Sequence, residues 1–280
     1  MKIALVQQQA TRDPAENLRL GIDAFRRAAG RGTHLIAYPE LAFLPFLPQV
    51  PADRRGELES FAQPVPGPIT EEFSALAKKH GIVVVLNLFE KAGGRTYDSS
   101  PVIDADGKLL GATRMAHIME GPGFHESGYY APGDQPDSVY ETAAGKVGVA
   151  ICYDRHFPEY MRMLALQDAQ IVVIPQAGTV GEWGEGIFEG EVQIAAFQNG
   201  YFAALVNRVG REEALHFAGE SFVADPFGRV IARAPRGEDH ILYAECDFGL
   251  ISGCPAKTHF LPDRRPGLYK SFRLTDKARK

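Results

Sequence analysis

The chain has 280 residues, of which 45% are apolar and 23% charged, and its formal net charge is −5. This composition is ordinary for a soluble globular protein. The mildly acidic balance argues against a surface built to bind nucleic acid. Apolar runs fall well short of the roughly 20 residues that span a bilayer, and the N-terminus lacks a signal-peptide core. We therefore expect a cytoplasmic protein with neither a nucleic-acid nor a membrane partner.

Apolar strand patterns alternate with amphipathic helix patterns along the chain. The predicted elements are, in chain order, strand 2–7, helix 14–30, strand 34–40, helix 69–81, strand 82–90, strand 146–154, helix 157–167, strand 169–177, helix 187–200 and strand 201–210. Two hairpin patterns, over 99–114 and 221–234, interrupt this alternation. A purely parallel sheet would not need them, so we predict a mixed sheet, or two packed sheets covered by helices. No linker divides the chain, which favours one domain.

Three cysteines occur, Cys152, Cys246 and Cys254. Their odd number and their spacing favour neither a disulfide framework nor a metal site. Cys152 ends a predicted strand and precedes an apparent helix start, where a helix dipole would stabilise the thiolate. Arg155 and His156 add positive charge nearby. The alternative is a buried cysteine that acts as a small apolar residue, and this segment alone does not decide between the two.

Two glutamates stand in segments that suggest chemistry. Glu40 closes the largely apolar stretch HLIAYPE, where a raised pKa would suit a general base. Glu126 lies among aromatic residues and glycines in GPGFHESGYYAPGD. A solvated loop glutamate and a residue that only caps backbone donors are the respective alternatives. Because the histidines form neither an HxH nor an HExxH pair, we predict no metal site.

Taken together, five segments resemble the nitrilase, or carbon–nitrogen hydrolase, superfamily over roughly residues 1–260. They are AYPE with Glu40, the Arg-x-x-His stretch ending at His117, FHESGYYAPGD with Glu126, GVAICYDRHFPE with Cys152, and NRVG at 207–210. The Cys152 and Glu126 segments are most similar to the β-ureidopropionase and N-carbamoyl amino acid amidohydrolase branches. The resemblance implies an α/β fold, a four-layer αββα sandwich of two mixed sheets between helices. It implies a carbon–nitrogen hydrolase domain over 1–260, followed by a tail over 261–280 that is either a dimer arm or a loose segment.

The resemblance also implies a mechanism and a homodimer or higher homo-oligomer. Glu40 would take the Cys152 proton, and the thiolate would attack an amide or carbamoyl carbon to form a thioester that water hydrolyses. The backbone N–H of Tyr153 would help to bind the oxyanion, and Glu126 would be a second acid. No metal or organic cofactor is required.

Arg155 occupies the position at which related enzymes hold a substrate carboxylate, and His117 is a second predicted substrate-binding residue. A guanidinium suits bidentate recognition of a carboxylate. An internal ion pair of Arg155 with an acid such as Asp154 or Glu159 is the equal alternative.

The chain departs from the family at one catalytic position. The superfamily triad is Glu-Lys-Cys, and the lysine position is occupied here by Met115. Lys108 lies too far back along the chain to replace it, and Arg114 would need an irregular backbone because neighbouring side chains of an extended segment point to opposite faces. A thioether neither donates a proton nor carries charge.

Three hypotheses follow from Met115. The acid role has moved to Glu126 or Arg114; or the protein is a pseudoenzyme that kept its pocket for binding; or the lysine of an ordinary amidohydrolase has been substituted. The sequence favours an active amidohydrolase, because Glu40, Glu126, Cys152 and Arg155 occur together.

Overall fold

Two β-sheets lie face to face in the computed structural model, which describes residues 1–54, 59–135 and 137–270. In the first sheet, β1 (Lys2–Gln7) pairs parallel with β2 (Leu35–Ala37) and antiparallel with β17 (His240–Glu245). The sheet has seven strands. Its remaining strands are β3 (Val83–Val85), β4 (Leu88–Ala92), β5 (Arg95–Ile103) and β6 (Leu109–Arg114). The hairpin predicted over 99–114 is the antiparallel pair β5–β6.

The second sheet has six strands in the order β16–β15–β12–β11–β10–β9. They are β9 (Val139–Thr142), β10 (Gly145–Val149), β11 (Ile171–Gln176), β12 (Phe202–Asn207), β15 (Phe222–Ala224) and β16 (Val230–Arg233). β10, β11 and β12 pair in parallel, whereas β15 and β16 form the second predicted hairpin. Two short pairs stand apart: β7 (Glu120–Gly121) with β8 (Phe124–His125), and β13 (Val209–Arg211) with β14 (His216–Ala218).

Helices cover the outer face of each sheet. α1 (Pro14–Ala29) and α2 (Pro68–His80) pack on the first sheet, and α3 (Pro158–Leu166) and α4 (Ile187–Asn199) on the second. Two short helices, α5 (Gly249–Gly253) and α6 (Pro266–Tyr269), and a π-helical turn at Ala256–Phe260 follow near the C-terminus. None of the helices in the described part of the chain is both long and apolar enough to cross a membrane.

Strand alternation creates the layers. Ile3 and Leu5 point between the sheets, where they pack with Val147. Ala4 and Val6 point the other way, beneath the helices of the first sheet. This period of two is what places one side-chain set in the inter-sheet core and the next under the helices. The predicted αββα sandwich of mixed sheets is confirmed.

Three predicted elements differ in extent. The strand predicted over 82–90 is divided at Leu86 and Asn87 into β3 and β4, and β2 covers only part of 34–40. The strand predicted over 146–154 stops at Val149, and a 3-10 helix occupies Cys152–His156. Of the predicted tail, residues 271–280 lie outside the described residues, so the boundary at 260 and the dimer arm stay predictions.

Candidate active site

Glu40 lies just beyond β2 in a sharply bent segment and is completely buried. Leu41, which follows it, has φ of +45°, a conformation that is strained for a branched side chain. The Leu41 amide donates to Asn87 Oδ1 at 2.7 Å, and the Arg208 guanidinium donates to the carbonyls of Glu40 and Leu41 at 2.8 and 2.6 Å. These three hydrogen bonds hold the backbone in its bent conformation and therefore fix the direction of the Glu40 carboxyl.

Cys152 lies beyond the end of β10, as Glu40 lies beyond the end of β2. It begins the 3-10 helix, and its φ is +44°. The turn is held by Asp154, whose amide donates to the Ile151 carbonyl at 2.8 Å. The Cys152 side chain reaches the inter-sheet core and is 6% exposed. Such a strained, buried turn aims one thiol at a defined point, as a nucleophile requires. Tyr153, the next residue, is placed where its amide could serve an oxyanion, and that role stays a prediction.

Glu126 opens a short 3-10 helix, Glu126–Gly128, and is also completely buried. Its Oε2 accepts a hydrogen bond from the Met119 amide at 2.9 Å, whereas Oε1 has no hydrogen-bond partner among the described residues. One carboxyl oxygen is thus anchored to the backbone and the other is left for the site.

The structure brings these three predicted residues together. Carboxyl oxygens of Glu40 and Glu126 and the thiol sulfur of Cys152 all lie within 4.8 Å of one another. Asp98, in the middle of β5, is a third buried carboxylic acid in this region. Among the described residues, both Glu40 oxygens and Asp98 Oδ2 lack hydrogen-bond partners of good geometry. The site is therefore a buried cluster of acids around a thiol.

Burial and mutual repulsion hold this cluster in its protonated forms. Burial, followed by the negative charges of Asp98 and Glu126, raises the pKa of Glu40 well above its usual range. Burial also raises the pKa of Glu126 well above its usual range and that of Asp98 to about 7. When one carboxyl of such a group ionises, its neighbours become harder to ionise, so a base and an acid can coexist.

The predicted thiolate stabilisation at Cys152 is wrong for the free protein. Burial, and next the charges of Glu40 and Glu126, raise the pKa of the Cys152 thiol well above its usual range. The residue opens a five-residue 3-10 helix rather than an α-helix, and Arg155 and His156 both pair with Glu191. The apparent helix dipole and positive charge that motivated the prediction are therefore not directed at the thiol.

Met115 is 0% exposed and packs in the same inter-sheet cluster as Cys152. Its backbone is fixed on both sides, since its amide donates to the Asp98 carbonyl at 2.9 Å and its carbonyl accepts from the Gly133 amide at 2.7 Å. The predicted lysine position is thus occupied by an apolar side chain in the core that contains the nucleophile.

Arg114 does not take over the missing charge. Its guanidinium forms a two-pronged ion pair with Glu90, with Nε at 2.9 Å and Nη2 at 2.7 Å from the carboxyl oxygens, and lies 4.0 Å above the ring of Tyr97. Arg114 and Met115 point to different sides of the segment, as alternation requires. The hypothesis that Arg114 supplies the acid is therefore wrong.

His117 serves the structure of the turn. Its Nδ1 lies 2.7 Å from Asp154 Oδ1, its amide donates to the same oxygen at 2.9 Å, and its ring stacks on Phe157 with centroids 3.6 Å apart. Asp154 thereby ties the Met115 segment to the Cys152 turn. The predicted substrate-binding role of His117 gains no support from these contacts.

Arg155 pairs with an internal acid, but not with either of the two acids expected. Its Nη1 donates to Glu191 Oε2 at 2.6 Å and its Nε to Gln176 Oε1 at 3.0 Å. Nη2 is buried without a partner among the described residues. Only Nη2 of Arg155 therefore remains for the predicted substrate carboxylate. The positive charge of the guanidinium is already balanced by Glu191.

Four supporting residues were missed by sequence reasoning: Asn87, Asp98, Tyr130 and Arg208. Asp98 stands inside a strand pattern, and Asn87 interrupts a strongly apolar run. The one available signal was a polar side chain in an otherwise buried strand, which usually has a specific partner. Arg208 lies in the NRVG segment, which contributes to the family resemblance but does not itself predict a role for the arginine.

Glu40, Glu126 and Cys152 also offer a donor set that could surround a small cation. Carboxylates and a thiolate are chemically suitable ligands, yet each must lose its proton first, which the raised pKa values oppose. The sequence prediction of no metal and no cofactor stays a prediction.

A buried cysteine facing two carboxyls at the junction of two sheets is the arrangement expected of a cysteine-dependent hydrolase. A family model described as Carbon-nitrogen hydrolase matches residues 2–256, so the chain belongs to the carbon–nitrogen hydrolase family, as the resemblance implied.

Relatives and structures agree with this assignment. The chain is 34% identical to an N-carbamoylputrescine amidase of Solanum lycopersicum, with 98% of this chain and 95% of the relative covered. It is 32% identical to a β-ureidopropionase of Arabidopsis thaliana, covering 92% of this chain and 66% of the relative. The crystal structure of a carbon–nitrogen hydrolase from Helicobacter pylori G27 superposes with a TM-score of 0.89 at 29% identity, covering 97% of both chains.

Proposed function

We propose that this carbon–nitrogen hydrolase releases ammonia from a small amide or N-carbamoyl compound through a Cys152 thioester, with Glu126 in the acid role. The observation that carries the proposal is the convergence of the Glu40, Glu126 and Cys152 functional atoms within 4.8 Å. Relatives named as amidases of N-carbamoyl compounds support the reaction class.

The two glutamates suit opposite roles. Ionised Glu40 faces the thiol and would take its proton as Sγ attacks the carbonyl carbon. Glu126, anchored through one oxygen by the Met119 amide, keeps its other oxygen free. Because its pKa is raised, Glu126 carries a proton that can be delivered to the leaving nitrogen. Ammonia departs, and Glu40 passes the thiol proton to the Glu126 carboxylate, which lies within 4.8 Å of it. Ionised again, Glu40 activates the water that hydrolyses the thioester.

Ammonia release is the test. The protein is incubated with neutral amides, N-carbamoyl amino acids and the matching N-carbamoyl amines, and acyl-enzyme is sought by intact mass spectrometry. Cys152→Ala should abolish both signals, whereas Cys254→Ala, which removes a buried thiol elsewhere, should retain them. Ligand binding without ammonia or adduct would instead establish the pseudoenzyme.

The same panel tests substrate charge. Of the Arg155 guanidinium nitrogens, Nη2 is buried without a hydrogen-bond partner among the described residues, whereas Nε and Nη1 are paired, so a carboxylate-bearing substrate would gain one charge-assisted contact rather than two. We include N-carbamoyl amino acids in the proposed class on this basis. Equal kcat/KM for each N-carbamoyl amino acid and its matching amine would remove Arg155 from substrate recognition.

We also propose a homodimer formed through α4. Ile187 and Ile194, seven residues apart and so on one helix face, are both 53% exposed, and Gly190 between them leaves space for close approach. Ile194→Glu should shift the sedimentation coefficient to that of a monomer, whereas Ile231→Glu, at an exposed site on β16, should not. A monomeric native protein would refute the dimer.

A further inference from the structure

Tyr130 has a buried hydroxyl that no contact within the described structure explains. The residue is 4% exposed, and its hydroxyl oxygen has no hydrogen-bond partner among the described residues. A buried tyrosine normally pairs its hydroxyl, because an unpaired polar group forfeits its hydration without compensation. The adjacent Tyr129 follows this rule, since its hydroxyl donates to the Val50 carbonyl at 2.8 Å.

The surroundings of Tyr130 place it at the active site. Its ring packs in a cluster with Leu41 and Ala177 and meets Phe89 edge-on, with centroids 5.7 Å apart. Leu41 follows Glu40 directly, and the Ala177 backbone is close enough to the Cys152 sulfur to lower the pKa of the thiol. The Tyr130 amide donates to the Glu126 carbonyl at 2.8 Å. The ring is therefore bounded by the neighbours of all three proposed catalytic residues.

The electrostatics keep the hydroxyl protonated. Burial raises the pKa of Tyr130 well above its usual range, and the charges of Asp98, Glu40, Glu126 and Cys152 raise it further. With its pKa raised, the phenol of Tyr130 stays a hydrogen-bond donor at neutral pH. Among the described residues this donor has no acceptor, which leaves it free to bind a substrate oxygen.

We propose that Tyr130 is a catalytic residue whose hydroxyl donates a hydrogen bond to the oxyanion formed when Cys152 adds to the substrate carbonyl. The inference rests on the proposed function. As the Sγ–C bond forms, the carbonyl π electrons move to oxygen, and Tyr130 stabilises that charge while retaining its proton. When the C–N bond breaks, the electrons return and ammonia leaves. The hydroxyl thus supplies the donation that Met115 cannot.

The test compares Tyr130→Phe with Tyr129→Phe, which removes the paired hydroxyl next to it. Tyr130→Phe should lower kcat for ammonia release by about 10²–10³-fold with little change in KM, as the loss of one oxyanion donor does. Tyr129→Phe should keep kcat near that of the native protein. In the Met115→Lys background the effect of Tyr130→Phe should shrink to about tenfold or less, because the ammonium supplies a second donor. A purely structural role would lower activity equally in both backgrounds.

A second readout needs no turnover. Acetaldehyde adds to a thiol to form a hemithioacetal, which resembles the tetrahedral intermediate, and ¹³C NMR reports its dissociation constant on Cys152. Tyr130→Phe should weaken this adduct about tenfold or more, while the rate of Cys152 modification by methyl methanethiosulfonate stays the same. If the native protein releases ammonia and Tyr130→Phe is fully active, the inference fails and the proposed function stands. If no ammonia is released, the proposed function fails, and an unchanged adduct affinity would overturn the inference as well.

Discussion

Replacing Met115 with lysine is expected to raise kcat for ammonia release at pH 7 by roughly 10²–10³-fold, the usual worth of one oxyanion donor. The side chain is completely buried in the same core cluster as Cys152, and its backbone is fixed because its amide donates to the Asp98 carbonyl and its carbonyl accepts from the Gly133 amide. Within the described structure, unpartnered oxygens of Glu40, Asp98 and Glu126 are available to an ammonium. Lysine would therefore meet acceptors that methionine leaves without partners.

The expected increase in kcat of Met115→Lys has a second cause, the ionisation of Glu40. A nearby positive charge favours the ionised form of a carboxyl and lowers its pKa. In the native protein, burial and the charges of Asp98 and Glu126 raise the pKa of Glu40 well above its usual range, so the ionised base becomes more abundant, and activity should rise, as the pH increases. In Met115→Lys the same rise should occur at lower pH, because the ammonium offsets the charges of Asp98 and Glu126.

Steady-state ammonia release between pH 5 and 9 measures both effects, with Met115→Leu as the matched control for side-chain volume. Met115→Leu should behave like the native protein, since neither side chain carries charge. A lysine variant with unchanged kcat and an unshifted pH profile would show that another group already performs the lysine role. That result would favour the hypothesis of a moved acid role over that of a substituted lysine.

The sequence predicted the layers of the αββα sandwich more accurately than it predicted the side-chain contacts of the candidate site. Period-two patterns placed Ile3 and Leu5 on one face and Ala4 and Val6 on the other, because this alternation depends on local geometry alone. The meeting of Glu40, Glu126 and Cys152 was expected through resemblance, since nothing in the spacing of three distant segments specifies a distance.

What could not be predicted depends on tertiary partners. The ion pair of Arg155 reaches Glu191, 36 residues away, and two nearer acids were the reasonable candidates. In the sequence, Tyr130 does not differ from the other aromatic residues of its segment. Its distinguishing feature, a buried hydroxyl without a partner among the described residues, depends on the tertiary structure. The sequence pattern does not distinguish a 3-10 turn from the start of an α-helix, so the predicted stabilisation of the Cys152 thiolate is wrong.

Protein stability is expected to fall as the pH rises from 5 to 8. Burial raises the pKa of Asp98 from the ordinary 3.8 to about 7, and burial also raises the pKa values of Glu40, Glu126 and Asp154. The folded protein therefore binds more protons in this range than the unfolded chain does. Stability from such groups is fully present below their unfolded pKa values and is lost as the pH passes their folded ones.

The pKa shift of Asp98 gives the order of magnitude of the expected loss in the free energy of unfolding. A difference of about three pKa units corresponds to about 4 kcal/mol as an upper limit, at 1.36 kcal/mol per unit. Because the acids repel one another, their contributions do not add, and a total loss of several kcal/mol is expected. Denaturant unfolding at pH 5, 6, 7 and 8 measures it. Free energies of unfolding that stay constant or increase from pH 5 to 8 would contradict a protonated acid cluster.

Two variants separate this cluster from the rest of the protein. Asp98→Asn keeps an oxygen to accept from Asn87 but cannot ionise, so its stability should depend less on pH. Met115→Lys should flatten the dependence further, because an ammonium stabilises the ionised carboxyls that otherwise destabilise the fold. The same substitution would then raise activity and stability together at pH 8. Such a joint gain is unusual for an active-site change, since stabilising an active site commonly costs function, and it would follow here because one missing charge limits both.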